Sequence, residues 1–183
     1  MTPERYFRAQ AHNNAWANHR LLSACATLPQ RELNARRSGF FPSIMSTLNH
    51  ILLVDEFYVS AFEGDCCGPG IFDEGNAHQV LEPLAAAQRA VDTRLISVCV
   101  SPVSREIELI RGWGVQNERL DRGLMHLFQH QIHHRGQVHS MLSDAGIEPP
   151  QLDEFFLSAG HERGLRTEDF AALGFSESDI WNE

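Results

Sequence analysis

Four stretches of this 183-residue chain carry apolar residues at helical spacing, and each is fenced by residues that stop a helix. This pattern constrains the fold most, because an amphipathic helix is stable only with its apolar stripe buried. Thr2-Pro3-Glu4 offers a capping hydroxyl, Pro at the first helical position and an acid in the first turn. It predicts a helix to about Ala26, with Phe7, Ala11, Trp16, Leu21 and Leu22 inward and Leu28-Pro29 as its end. Residues 30–42 read as a loop, Arg-rich and then aromatic (GFFP). The second helix runs from Ser43 to Glu63 on Ile44, Leu48, Ile51, Tyr58 and Phe62. Asp55 lies on that same stripe, an unusual place for a charge. Gly64 to Gly75 is a turn-rich connection. The third helix spans Val80 to Val100 on Leu84, Ala87, Val91, Leu95 and Val98. Pro102 breaks it, and residues 105–110 partly alternate before Gly112-Trp113-Gly114, which fits a short hairpin or an extended arm. The fourth spans Glu118 to Asp144, with Gly146 at a left-handed cap and Pro149-Pro150 beyond.

The expected fold class is therefore all-α: a four-helix bundle with a short C-terminal extension. Residues 1–150 form the bundle in this reading, and residues 151–183 pack on it or on a partner chain. Within the extension, LDEFFLSAGHERG reads as a short apolar helix or coil, and Thr167 as the start of another short helix.

Charge and cysteine content narrow the function classes. The formal net charge is −9, which argues against a nucleic-acid partner. All 15 basic residues are Arg, so neither Schiff-base chemistry nor a phosphate-loop lysine is available. No apolar run approaches the ~20 residues that cross a bilayer, so no membrane partner is expected. The N-terminus lacks the pattern of a signal peptide, which makes the cytoplasm the expected location. Cys25, Cys66, Cys67 and Cys99 form no C-x-x-C pair and read as reduced thiols. The adjacent Cys66 and Cys67 are poorly placed to bridge each other.

The outlier is histidine. Of 10 copies, His126, His130, His133, His134 and His139 fall in one stretch, LMHLFQHQIHHRGQVHSML. At ~100° per residue His134 lies about 40° from His130, and both sit at the margin of the apolar arc. Residues four apart on a helix stand side by side, so two such imidazoles can converge on one ion at about 2.0–2.1 Å. A segment this rich in His also contains such pairs by chance, His126 and His130 among them, and a polar helix face would give the same spacing. A third ligand must come from another helix. His50 is the best candidate, because it lies among apolar neighbours where an unpaired imidazole is costly. A hydrogen-bonded core histidine is the plain alternative, and His12 and His19 are further candidates in more polar surroundings. No Glu or Asp has His three residues later, which excludes the carboxylate-bridged di-iron pattern. Gln131 follows His130, which excludes the H-E-x-x-H protease pattern.

Three segments in order resemble the DinB-like metalloprotein superfamily, which is unrelated to the DNA polymerase sharing that label. They are Asn14, Trp16 and Asn18 in NNAWAN, then SIMSTLNHILLVDEFY, then HLFQHQIHHRGQVHSML. The H-x-x-x-H-R-G-Q element, His130 to Gln137, is the most specific part, and the resemblance covers about residues 3–150. It implies a four-helix bundle, often a homodimer, whose metal ligands are His50, His130 and His134. His133 matches a position that does not ligate. Some relatives are thiol S-transferases or isomerases that use a low-molecular-weight thiol, as the bacillithiol-transferase-like members do.

Three neutral imidazoles leave an ion its full charge and an open position, the arrangement of a reactive site. The ion is one of Zn, Ni, Fe, Co or Mn. The expected function is transfer of a small thiol onto an electrophilic small-molecule substrate. Alternatives are a hydrolase using bound hydroxide and a non-catalytic metal-binding stress-response protein. Asp55 is expected either to orient a ligand or accept a proton, or to pair with Arg135, the favoured reading.

Overall fold

Thr2 caps the first helix as its sequence dictates: its hydroxyl accepts from Arg5 N at 3.4 Å, and Pro3 fills the first turn. In the computed structural model, which describes residues 2–100, 102–157 and 160–181, helix α1 runs Pro3–Cys25. A single-turn helix, α2 (Gln30–Leu33), interrupts the expected loop and buries Leu33. Ser43 caps α3 (Ile44–Glu63) by accepting from Ser46 N at 3.1 Å. A 3-10 turn at Pro69–Glu74 leads into α4 (Leu81–Val98). Strands β1 (Glu106–Arg111) and β2 (Gly114–Arg119) then pair antiparallel, with Glu106 opposite Arg119 and Arg111 opposite Gly114. Helix α5 (Leu120–Asp144) follows. Gly146 adopts φ +78°, and Ile147 N donates to Leu142 O at 3.0 Å, closing α5 with the anticipated left-handed cap.

The protein is thus mostly helical with one small two-stranded sheet, so it is not purely α. The alternation in residues 105–110 is the hairpin signal. Ile107 and Leu109 point inward while their neighbours stay in water. The pairing extends through Arg119, so α5 begins two residues after the expected Glu118.

The four long helices contact one another in a cycle: α1 meets α4 and α5, and α3 meets the same two. Leu21, Leu48, Ile51, Phe57, Leu84, Leu95, Leu124 and Leu127 fill the space between them. At one point α5 comes so close to α3 that a Cβ on Gly123 would lie 2.7 Å from Phe62 Cε1. Glycine there leaves room for the Phe62 ring against the helix.

Helices α6 (Gly160–Leu173) and α7 (Glu177–Trp181) lie against α1. Phe155, Phe170 and Ile180 enclose Trp16 in a second apolar cluster. Thr167 does not start a helix. It sits inside α6 and donates its hydroxyl to Arg163 O at 3.0 Å, the backbone bond of a mid-helix Thr. Arg166 is 2% exposed, bonded to Glu177 Oε1 at 2.9 Å and Leu157 O at 3.0 Å, so this buried charge is paired.

No helix among the described residues is long and apolar enough to cross a membrane. All four cysteines are free thiols. Burial pushes Cys25 and Cys99 up to about 12, which makes them inert packing groups.

Candidate metal centre

His50 lies mid-way along α3 and faces α5, where His130 and His134 stand one turn apart. The three side chains each offer a ring nitrogen within 4.8 Å of the others, so as a group they could hold a metal ion. His50 Nε2 is 2.9 Å from His130 Nε2, and the three ring centroids lie 4.4–4.9 Å apart.

Their chemistry suits a cation. Burial, and then repulsion from His134, lowers His50 to about 4. Burial, then the neighbouring imidazoles, lowers His130 to about 3, and burial lowers His134 too. All three are therefore neutral at pH 7 and have lone pairs to give. Gln137 Oε1, one turn beyond, lies 2.8 Å from His134 Nδ1. An amide oxygen only accepts, so Nδ1 carries the proton and Nε2 keeps its lone pair. Among the described residues His130 Nδ1 is buried with no partner.

Phe41 is a member of this site that its sequence gave no means of placing. Its ring lies 4.4 Å from His50 and 5.6 Å from His134, covering one side of the group. Asn49 is another. It accepts from His78 N and donates to His78 O, both at 2.9 Å, which fixes the segment before α4 against α3. Beside His50 a cavity of about 390 Å³ opens, lined by Phe41, Ser46, Leu53, Phe72, Gly75 and Asn76.

The remaining histidines go elsewhere. His12 bonds Arg8 O and lies 4.8 Å from the Phe175 ring, and His19 is 3.7 Å from Asp169. Both are under the C-terminal helices. His126 stacks at 5.1 Å on Tyr58 and is 6.5 Å from His130. His133 meets Gln137 Nε2 at 3.1 Å, and His139 meets Pro150 O. His161 lies outside the residues whose side chains are described.

Directly behind the histidines is a buried polar network. Asp92 Oδ1 accepts from Asn14 and Asn18, each at 3.0 Å, and from Gln88 at 3.2 Å. Gln88 Nε2 also donates to Asp55 Oδ2 at 2.7 Å. Arg135 Nη1 donates to Asn14 Oδ1 and, at 3.1 Å, to Asn18 Oδ1. The expected Asp55–Arg135 pairing does not form: among the described residues the two make no ion pair, because Gln88 takes the carboxylate and two asparagines take the guanidinium. Nor does Asp55 bond any of the three histidines. The Gln131 amide approaches Asp55, yet neither Asp55 Oδ1 nor that amide has a partner at hydrogen-bond length.

One buried guanidinium can balance one carboxylate. Burial, and then Asp92, push Asp55 up to about 8, while Asp92, with three amide donors, rises to about 6. Asp55 therefore carries the proton at neutral pH. Asn14, Asp55, Gln88 and Arg135 come from four different helices, so the network fixes how α1, α3, α4 and α5 meet around the histidines. Gln88 and Asp92 share the stripe of Leu84, Val91 and Leu95, the same sequence signal that Asp55 gives on α3.

Comparison with known proteins fixes the lineage. The sequence model of the DinB family matches residues 6–165. The chain belongs to the DinB family. It is also similar to Protein DinB of Bacillus subtilis (strain 168), with 24% identity over 151 residues, 76% of this chain and 86% of that protein. The family match passes residue 150 and reaches into α6. Family membership and a close group of three histidines together allow a metal-dependent DinB-like protein.

Proposed function

We propose that this DinB-family protein is a metal-dependent thiol S-transferase whose His50, His130 and His134 hold one divalent ion. The observation that carries the reading is the convergence of three neutral imidazoles from two helices beside an open cavity. An ion held there would act as a Lewis acid that keeps a small thiol in its nucleophilic thiolate form near neutral pH. Zn, Ni, Fe, Co and Mn all suit such a donor set.

The chain's own residues do the rest. Burial keeps the three rings unprotonated, and Gln137 holds His134 in the tautomer with a free Nε2. Phe41 shields the group from water on one side, and the cavity beside His50 admits the electrophile. In the transfer the thiol gives its proton to solvent water, its sulfur bonds to the electrophilic carbon, and the bond to the leaving group breaks as that group departs with its electron pair.

In this reading the four long helices are a four-helix bundle, residues 151–183 are an extension of it, and the protein works in the cytoplasm. A homodimer belongs to the same reading. Met125 and Ile132, seven residues apart on α5, and Phe156 and Leu157 leave an exposed apolar face for a second copy.

The test is the metal-loaded protein offered a panel of low-molecular-weight thiols with an aryl halide acceptor, and separately nitrophenyl esters without thiol. Thiol-dependent product that disappears in His130→Ala is the expected result. Ester cleavage without thiol would replace the transferase with a hydrolase, and inertness to both would leave a metal-binding protein.

A further inference from the structure

The cavity beside His50 has a composition that says what it receives. Three of its walls are Phe41, Leu53 and Phe72, and the polar side chains that line it are the neutral His50 imidazole, Ser46 and Asn76, the last two sharing a 3.3 Å hydrogen bond. Among the described residues no charged side chain lines it. Its volume of about 390 Å³ lies at the small end of ligand sites and exceeds the ~150 Å³ that holds a single benzene ring, so a substituted ring enters without strain. Phe72 is anchored from behind by Phe57, whose ring is 5.4 Å away, and Phe41 is held against His50 at 4.4 Å. Both walls are therefore aromatic faces backed by packed rings. A ring entering between them gains stacking contacts, whereas in the metal-free protein a charged group loses water and meets no counter-charge among the described side chains.

We infer that this cavity selects a small, uncharged aromatic molecule, with Phe41 and Phe72 as the residues that set the preference. The inference rests on the proposed function only in placing the ring's reactive substituent toward His50, and the preference itself is a property of the walls. Phe41 comes from the loop before α3 and Phe72 from the 3-10 turn before α4. Those two connections thus determine specificity, while the helices carry the histidines. Ser46 and Asn76 offer a hydroxyl and an amide to a neutral hydrogen-bonding substituent.

The experiment titrates isotope-labelled, metal-free protein with benzyl alcohol, benzoate and benzylamine, followed by NMR. The metal-free form is used because a bound ion would itself attract the carboxylate. Benzyl alcohol should shift resonances of Phe41, Leu53 and Phe72 and bind about tenfold more tightly than either charged analogue. Phe72→Ala should weaken benzyl alcohol binding about fivefold or more while zinc stoichiometry is unchanged. Phe72→Leu, which keeps an apolar wall but no ring, controls for misfolding and should retain part of the affinity. Equal binding of the three probes, shifts confined to other surfaces, or an unaltered affinity in Phe72→Ala would overturn the inference. Failure to bind zinc with the benzyl alcohol preference intact would instead overturn the metal-dependent function and leave this inference standing.

Discussion

Asp55 is 1% exposed, with one oxygen bonded to Gln88 and the other without a partner among the described residues. Its carboxyl is raised from 3.8 to about 8, so unfolding at neutral pH releases a proton. A folded-state value above the unfolded one gives a contribution that is intact below about 4 and is lost as pH rises through 8. Asp55→Asn removes that dependence. In urea unfolding, the stability of the variant relative to wild type should grow between pH 5 and pH 8, and a constant difference would contradict a protonated Asp55. The histidines act in the opposite direction. His50 and His130 are lowered from 6.5 to about 4 and about 3, so their contribution is present above 6.5 and is lost as pH falls through the folded values. Metal-free protein should therefore lose stability between pH 7 and pH 4.5, and His130→Leu should lose less. An equal slope in the two proteins would show that His130 titrates normally.

At the scale of elements, the closest approach is α5 on α3 at Gly123. Gly123→Ala would drive its methyl into Phe62, already 2.7 Å from the Cβ position, with Ile107 behind at 3.4 Å. The variant should be less stable by about 1–3 kcal/mol in thermal unfolding, and a change within about 0.5 kcal/mol would show that the Phe62 ring yields freely. Such contacts explain what the sequence could and could not reveal. The long helices were legible because Thr2, Ser43, Gly146 and the apolar stripes are local signals. His130 and His134 were legible because four residues bring them side by side on one helix. The hairpin was half legible, since β1 alternates in burial but β2 carries only polar residues toward its end, none of them buried. Phe41, Asn49, Gln88 and Asp92 were not, because their partners lie on other elements and no spacing rule links them. Asp55 illustrates the same limit. Its place on the apolar stripe announced a buried carboxyl, but which group would satisfy it depended on where α4 lay.

At the scale of the whole molecule, the described residues form two apolar regions with different duties. The larger lies between the four long helices and positions the histidines, and the smaller seals Trp16 under α6 and α7. Phe155 is 1% exposed and touches Trp16, Phe170 and Trp181. Phe155→Ala should cost about 3–5 kcal/mol and lower Tm, yet leave metal stoichiometry unchanged. Loss of metal in that variant would show that the two regions are coupled. The central claim, that an imidazole of α3 and two of α5 share one ion, has a more direct test. Untagged wild type, His50→Ala, His130→Ala, His134→Ala and His133→Ala are purified side by side, and bound metal is measured by elemental analysis. One equivalent in wild type and in His133→Ala, with strong depletion in the other three, is the predicted result. A full equivalent retained in all three of those variants would contradict it.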